Sequence, residues 1–89
     1  MENKVLIKLI LPEFDQKFDL FIPVNEIIWK IKSLVVKSIS ELTGVDLDIK
    51  NDYIILNKED GKIYDNNEIV INTDIRNGTE LIMFTNKNI

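Results

Sequence analysis

The stretch from Ile27 to Leu42, IIWKIKSLVVKSISEL, decides the architecture. Ile27, Ile28, Ile31, Leu34, Val35, Ile39 and Leu42 form one stripe at the 3.6-residue spacing of an amphipathic helix. The segment predicts about four and a half turns. Asn25 stands where a cap belongs, and Glu26 suits the positive end of a helix. Gly44 follows where a left-handed residue closes one. No other part of the chain holds this period for as long. A single helix with one apolar stripe needs a sheet to bury it against, and on both sides of the segment the period changes to two.

Upstream, Lys4 to Leu11 alternates. Val5, Ile7, Leu9 and Leu11 make one uniformly apolar face; Lys4, Leu6, Lys8 and Ile10 make the other. Pro12 to Gln16 reads as a turn, and Lys17 to Ile22 as the returning strand of a hairpin that Pro23 stops. Downstream, Tyr53 to Asn57 reads as a third strand, Lys58 to Gly61 as a turn, and Lys62 to Tyr64 as a short fourth strand. Asp65 to Ile75 is polar, anchored by Ile69, Ile71 and Ile75, with room for a short helical turn. Asn77-Gly78 is a tight turn, and Thr79 to Thr85 the last strand. Asn86 to Ile89 reads as a tail.

The order β-β-α-β-β-β gives an α+β protein of two layers. The first and last strands are expected side by side and parallel at the centre of a mixed sheet of four to five strands, with the rest of the chain as their crossover. That arrangement is the β-grasp. Residues 1–89 are expected to form one domain, with its core over about 4–85.

Composition narrows the chemistry. The chain has 89 residues, 45% hydrophobic and 29% charged, close to the average of globular domains. It lacks cysteine and histidine, which removes thiol nucleophiles, disulfides, the usual neutral-pH base and the commonest metal ligands. Eleven cations face fifteen anions, a net charge of −4. That balance argues against nucleic acid and against anionic membrane surfaces. No stretch is long and apolar enough to span a bilayer, so a cytoplasmic protein without direct membrane insertion is expected.

Asp46 to Asp52 begins like a calcium loop. It then places Lys50 where an oxygen ligand belongs and lacks the glycine of the sharp turn. Glu59, Asp60 and Asp65 fit turn chemistry. Gly61 and Gly78 form no phosphate cradle. We expect no catalytic residue, no cofactor and no metal site.

The chain resembles the YukD/EsaB family, small ubiquitin-like proteins associated with type VII secretion in Gram-positive bacteria. Three stretches carry the resemblance: Phe18-Asp19-Leu20-Phe21-Ile22, the helical stripe from Ile28 to Ile39, and Asp74-Ile75-Arg76-Asn77-Gly78-Thr79-Glu80-Leu81 with its Ile-x-Asn-Gly-x-x-Leu pattern. The resemblance implies a ubiquitin-like fold and a non-enzymatic adaptor or regulator that docks to a cytosolic part of the secretion machinery. Sulfur carriers and conjugated modifiers of this fold end in Gly-Gly. This sequence ends Asn86-Lys87-Asn88-Ile89, so that alternative is disfavoured. A structural homodimer without a secretion role is a third reading.

Surface apolar residues carry the expected protein contacts. With the inner faces assigned to the helix, Leu6, Ile10, Phe21, Ile82 and Phe84 point outward. Outward positions on a half-covered sheet are normally polar, so their apolar character marks a contact surface. At about 100° per residue, Trp29 and Val36 lie about 200° and 180° round from Ile27, roughly opposite a stripe centred near 60°. The pair reads either as an exposed ridge for a partner or as a tryptophan folded over Pro23 and Val24.

Overall fold

Every strand begins within one residue of where the period-two pattern does, and the second takes in Pro23, which the sequence reads as its stop, because an edge position needs no N–H there. The computed structural model describes residues 3–45, 47 and 52–86. β1 (Lys4–Leu11) pairs antiparallel with β2 (Gln16–Pro23), with Leu6 opposite Phe21 and Lys8 opposite Asp19. Between them Pro12–Phe14 makes one 3-10 turn, and Asp15 takes a left-handed conformation to reverse the chain. α1 (Ile28–Thr43) then crosses the sheet, and β3 (Tyr53–Asn57) and β4 (Glu80–Thr85) complete it. The strand order is β2-β1-β4-β3, with β1 and β4 parallel in the middle and both outer pairs antiparallel. This is the ubiquitin-like β-grasp.

Among the described residues four strands form the sheet. The fourth strand expected at Lys62 to Tyr64 is a single bridge, Leu56 to Ile63. Its bonds run from Asn57 N–H to Lys62 O and from Tyr64 N–H to Ile55 O. Past Tyr64 the chain leaves the sheet to cover the start of α1, so no ladder can extend. There Ile28 N–H donates to Glu68 O and Trp29 N–H to Asn66 O. These carbonyls satisfy donors that a side-chain cap would otherwise take. The helix accordingly starts two residues later than Asn25 would place it: Ile27 is the cap residue and makes no side-chain cap bond. Gly44 closes the other end as expected, at φ +72°, its N–H on Ser40 O.

The core is the inner face of the sheet against α1. Ile7, Leu9, Leu11, Ile22, Ile55, Leu81 and Met83 meet Ile28, Ile31, Val35 and Ile39. Val5, Phe18 and Leu20, toward the β2 side, are only half-buried. In the crossing segment the anchors are Val70 and Ile75, while Ile69 and Ile71 stay exposed. The reason is geometric: Val70–Asn72 is one 3-10 turn, and so short a turn sends only one side chain inward.

Candidate functional site

Rows of side chains across the outer face follow from the register. Ile10 lies opposite Ile82, Ile82 opposite Leu56, and Leu56 is bridged to Ile63. Phe84 and Ile54 form the next row. Side chains at paired positions share a face. Six apolar residues from β1, β4, β3 and the bridge therefore make one continuous patch. Ile63 is its most open member, at 57% exposure; Ile10, Ile54, Leu56, Ile82 and Phe84 are half-buried by one another and by the strands. The expected Ile10, Ile82 and Phe84 are thus brought together. Ile54, Leu56 and Ile63 join them. The alternation of Tyr53 to Asn57, with Tyr53, Ile55 and Asn57 buried, could have placed the first two.

Leu6 and Phe21 point outward too, and pair with each other. They belong to a separate spot. Asp19, Lys8 and Glu80 form a charged row between them and the main patch, continued by Lys58, whose ammonium lies 3.6 Å from the Glu80 carboxylate. Phe21 is 68% exposed on the edge strand. At the far rim the Glu13 carboxylate accepts bonds from Thr85 N–H at 2.8 Å and Thr85 Oγ1 at 2.6 Å. β1 has already turned away at Leu11, so Glu13 replaces a strand neighbour and holds the end of β4 beside Phe84.

Trp29 and Val36 do not form the expected exposed pair. Trp29 is 53% exposed, but Val36 is 2% exposed. The buried stripe is turned toward Val36, because Asp52, Tyr53 and Asn66 stand along that flank of α1. Val36 forms the floor of a groove of about 270 Å³ walled by Trp29, Lys32 and those residues. Lys32 Nζ donates to Asn66 Oδ1 at 2.6 Å. Burial holds its ammonium below the usual lysine range, partly offset by Asp52. Pro23 and Val24 are absent from the walls of this groove.

Beneath the β3–bridge hairpin, Tyr64 is buried and donates its hydroxyl to Asp74 Oδ1, while Asn57 Nδ2 donates to the same hydroxyl at 3.2 Å. Burial, then the bond to Asp74, pushes the phenol up to about 12. The calcium-like stretch lies outside the described residues except for Leu47 and Asp52. Among the described residues no helix is long and apolar enough to cross a membrane.

Fold and outer face together define a ubiquitin-like β-grasp domain with an apolar patch on its open side. No protein-family model matches the chain, and no curated protein matches its sequence. Solved structures do match. The EccD5 ubiquitin-like domain from Mycobacterium xenopi superposes with a TM-score of 0.70 at 13% identity, covering 98% of this chain and 99% of that one. A chain of the MycP5-free ESX-5 inner membrane complex matches with a TM-score of 0.68 at 13% identity. There the match covers 97% of this chain but 22% of that one, so this chain spans about a fifth of its length. The ubiquitin of Caldiarchaeum subterraneum gives a TM-score of 0.68 at 11% identity, over 97% of this chain and 98% of that one. At such identities the likeness is one of fold.

Proposed function

We propose that this chain is a non-enzymatic, ubiquitin-like adaptor or regulator of a type VII secretion system, of the YukD/EsaB kind, acting at the cytoplasmic side of the membrane through a protein partner in the machinery. The observation that carries the reading is the continuous outward row Ile10-Ile82-Leu56-Ile63 with Phe84 and Ile54 beside it. An apolar patch of this kind on a rigid sheet, rimmed by Lys17, Glu80 and Glu13, has the anatomy of a binding surface with an apolar centre and a polar border. The likeness to the EccD5 domain and to a chain of the ESX-5 inner membrane complex supports the choice of machinery. The three resembling stretches support it independently.

The test is Phe84→Asp. Phe84 is half-buried at the outer surface, so a carboxylate there desolvates against any docked partner while the fold keeps its inner core. The expected result is loss of co-purification with membrane-extracted secretion components, with a native circular dichroism spectrum. Undiminished co-purification of the folded variant overturns the assignment of the patch.

A further inference from the structure

β2 is an edge strand of eight residues without a bulge. Its outer hydrogen-bonding groups can be identified. Val24 N–H donates to Asn3 O at 3.0 Å, and bonded pairs alternate along an antiparallel ladder. Ile22, Leu20, Phe18 and Gln16 therefore direct their main-chain groups at β1. Lys17, Asp19 and Phe21 direct theirs outward, where no described strand pairs with them. The side chains of Lys17 and Asp19 close no ion pair among the described residues. On the inner face Phe18 and Leu20 are half-buried, left partly open where the sheet stops. A long, regular edge is a template for one more strand.

We propose that the occupant is a second copy of this chain, paired antiparallel through β2 about a two-fold axis, with Lys17 opposite Asp19 of the other copy and Asp19 opposite its Lys17. The charges select this register. Bonding requires outward residues to meet outward residues. A shift by one step either way sets Lys17 against Lys17 or Asp19 against Asp19, and like charges directly opposite are destabilising. Moving further, to put Asp19 opposite Phe21, brings Lys17 opposite Pro23, which has no N–H to give. The proposed register makes two main-chain hydrogen bonds in each of its two outward pairs and places both lysines against aspartates. It also sets Phe18 against Phe18 on the inner face, covering the ring that the single sheet leaves half-open. An edge lysine ordinarily discourages pairing; here Asp19, two residues on, makes it self-complementary. The contact involves about five residues per copy and is smaller than a standard interface of about 800 Å² per partner, so the dimer is weak and concentration-dependent. It leaves the outer patch around Ile82 free, and so stands apart from the function proposed above.

Sedimentation velocity over rising concentration, with Lys17→Asp, Asp19→Lys and the double charge swap, tests this. Wild type should shift reversibly from monomer to dimer. Each single reversal should weaken association at least about tenfold, since both pairs become repulsive. The double swap should restore it, and mixing the two single variants should give a heterodimer although neither pairs with itself. Circular dichroism checks that each variant folds, Asp19→Lys in particular because Lys8 faces that position. A wild type that stays monomeric to millimolar concentration overturns the proposal. So does a dimer indifferent to the charge reversals, or an edge that takes only an added extended peptide. Undiminished co-purification of secretion components by Phe84→Asp, with the dimer intact, would instead count against the outer patch alone.

Discussion

Asn77 and Gly78 show how much one dipeptide can do. Asn77 Oδ1 accepts the Leu6 N–H at 2.8 Å, and Gly78 N–H donates to Leu6 O at 2.8 Å. The turn is thereby stitched to β1 before the parallel β1–β4 ladder begins. Gly78 sits at φ +89°, a conformation that favours glycine. Ile75 and Leu81, on either side, are core residues. The Ile-x-Asn-Gly-x-x-Leu pattern is thus two core anchors around a turn that sets strand register. Tyr64 makes the other residue-scale argument. Its phenol titrates near 10 when unfolded and about 12 when folded. The folded state holds the proton between those values, so the contribution is full below pH 10 and lost as pH rises toward 12. Tyr64→Phe should cost about 1–2 kcal/mol at neutral pH, because Asp74 and Asn57 lose their partner. It should also flatten the fall in stability from pH 10 to 12, a fall worth at most about 2–3 kcal/mol in the wild type. Urea unfolding across that range measures both; parallel slopes would mean that Tyr64 does not titrate differently in the two states.

At the scale of the element, α1 shows that a stripe on a helical wheel fixes periodicity better than rotation. The apolar spacing puts the stripe's centre nearer Leu34 and Leu42, yet these are 43% and 68% exposed, while Val36 is buried. Covering comes from the other flank, where Tyr53 and the Asn66–Glu68 backbone lie against the helix. Leu42 sits in the last turn before Gly44. Val36→Ala should therefore destabilise by about 2 kcal/mol, in the range of buried methyl deletions. Trp29→Ala, half-open on the same groove, should cost less than half of that. Chemical denaturation of the two variants decides it, and an equal or reversed order would contradict the observed rotation of α1.

Across the whole molecule, strand order determines which outward residues meet. Because β4 lies between β1 and β3, Ile82 touches residues from both hairpins of the sheet and becomes the centre of the patch. Phe21, far more exposed, is set apart behind Asp19, Lys8 and Glu80. Central, desolvated positions dominate binding, and exposed rim positions contribute little. Under the proposed function, Ile82→Asp should abolish capture of secretion components, and Phe21→Asp should leave it nearly unchanged. Pull-down from membrane extract, alongside circular dichroism, reads both; loss of capture with Phe21→Asp alone would shift the site to the β2 side.

Local pattern was enough for β1, β2, β3 and β4, for α1 and for the Gly44 and Asn77-Gly78 turns. Each of these depends on side-chain period or backbone preference within a few residues, and those preferences are written in the chain itself. The parallel placing of β1 beside β4 was also legible, since a hairpin, one long helix and a return to the sheet leave few ways to cover one apolar stripe. Tertiary structure alone decided the burial of Val36, the reduction of Lys62 to Tyr64 to one bridge, the replacement of an Asn25 cap by the backbone of Asn66 and Glu68, and the division of the outer face by a charged row. All four turn on which distant segment lies alongside, and no local period encodes that, because burial and hydrogen-bond satisfaction are properties of neighbours in space.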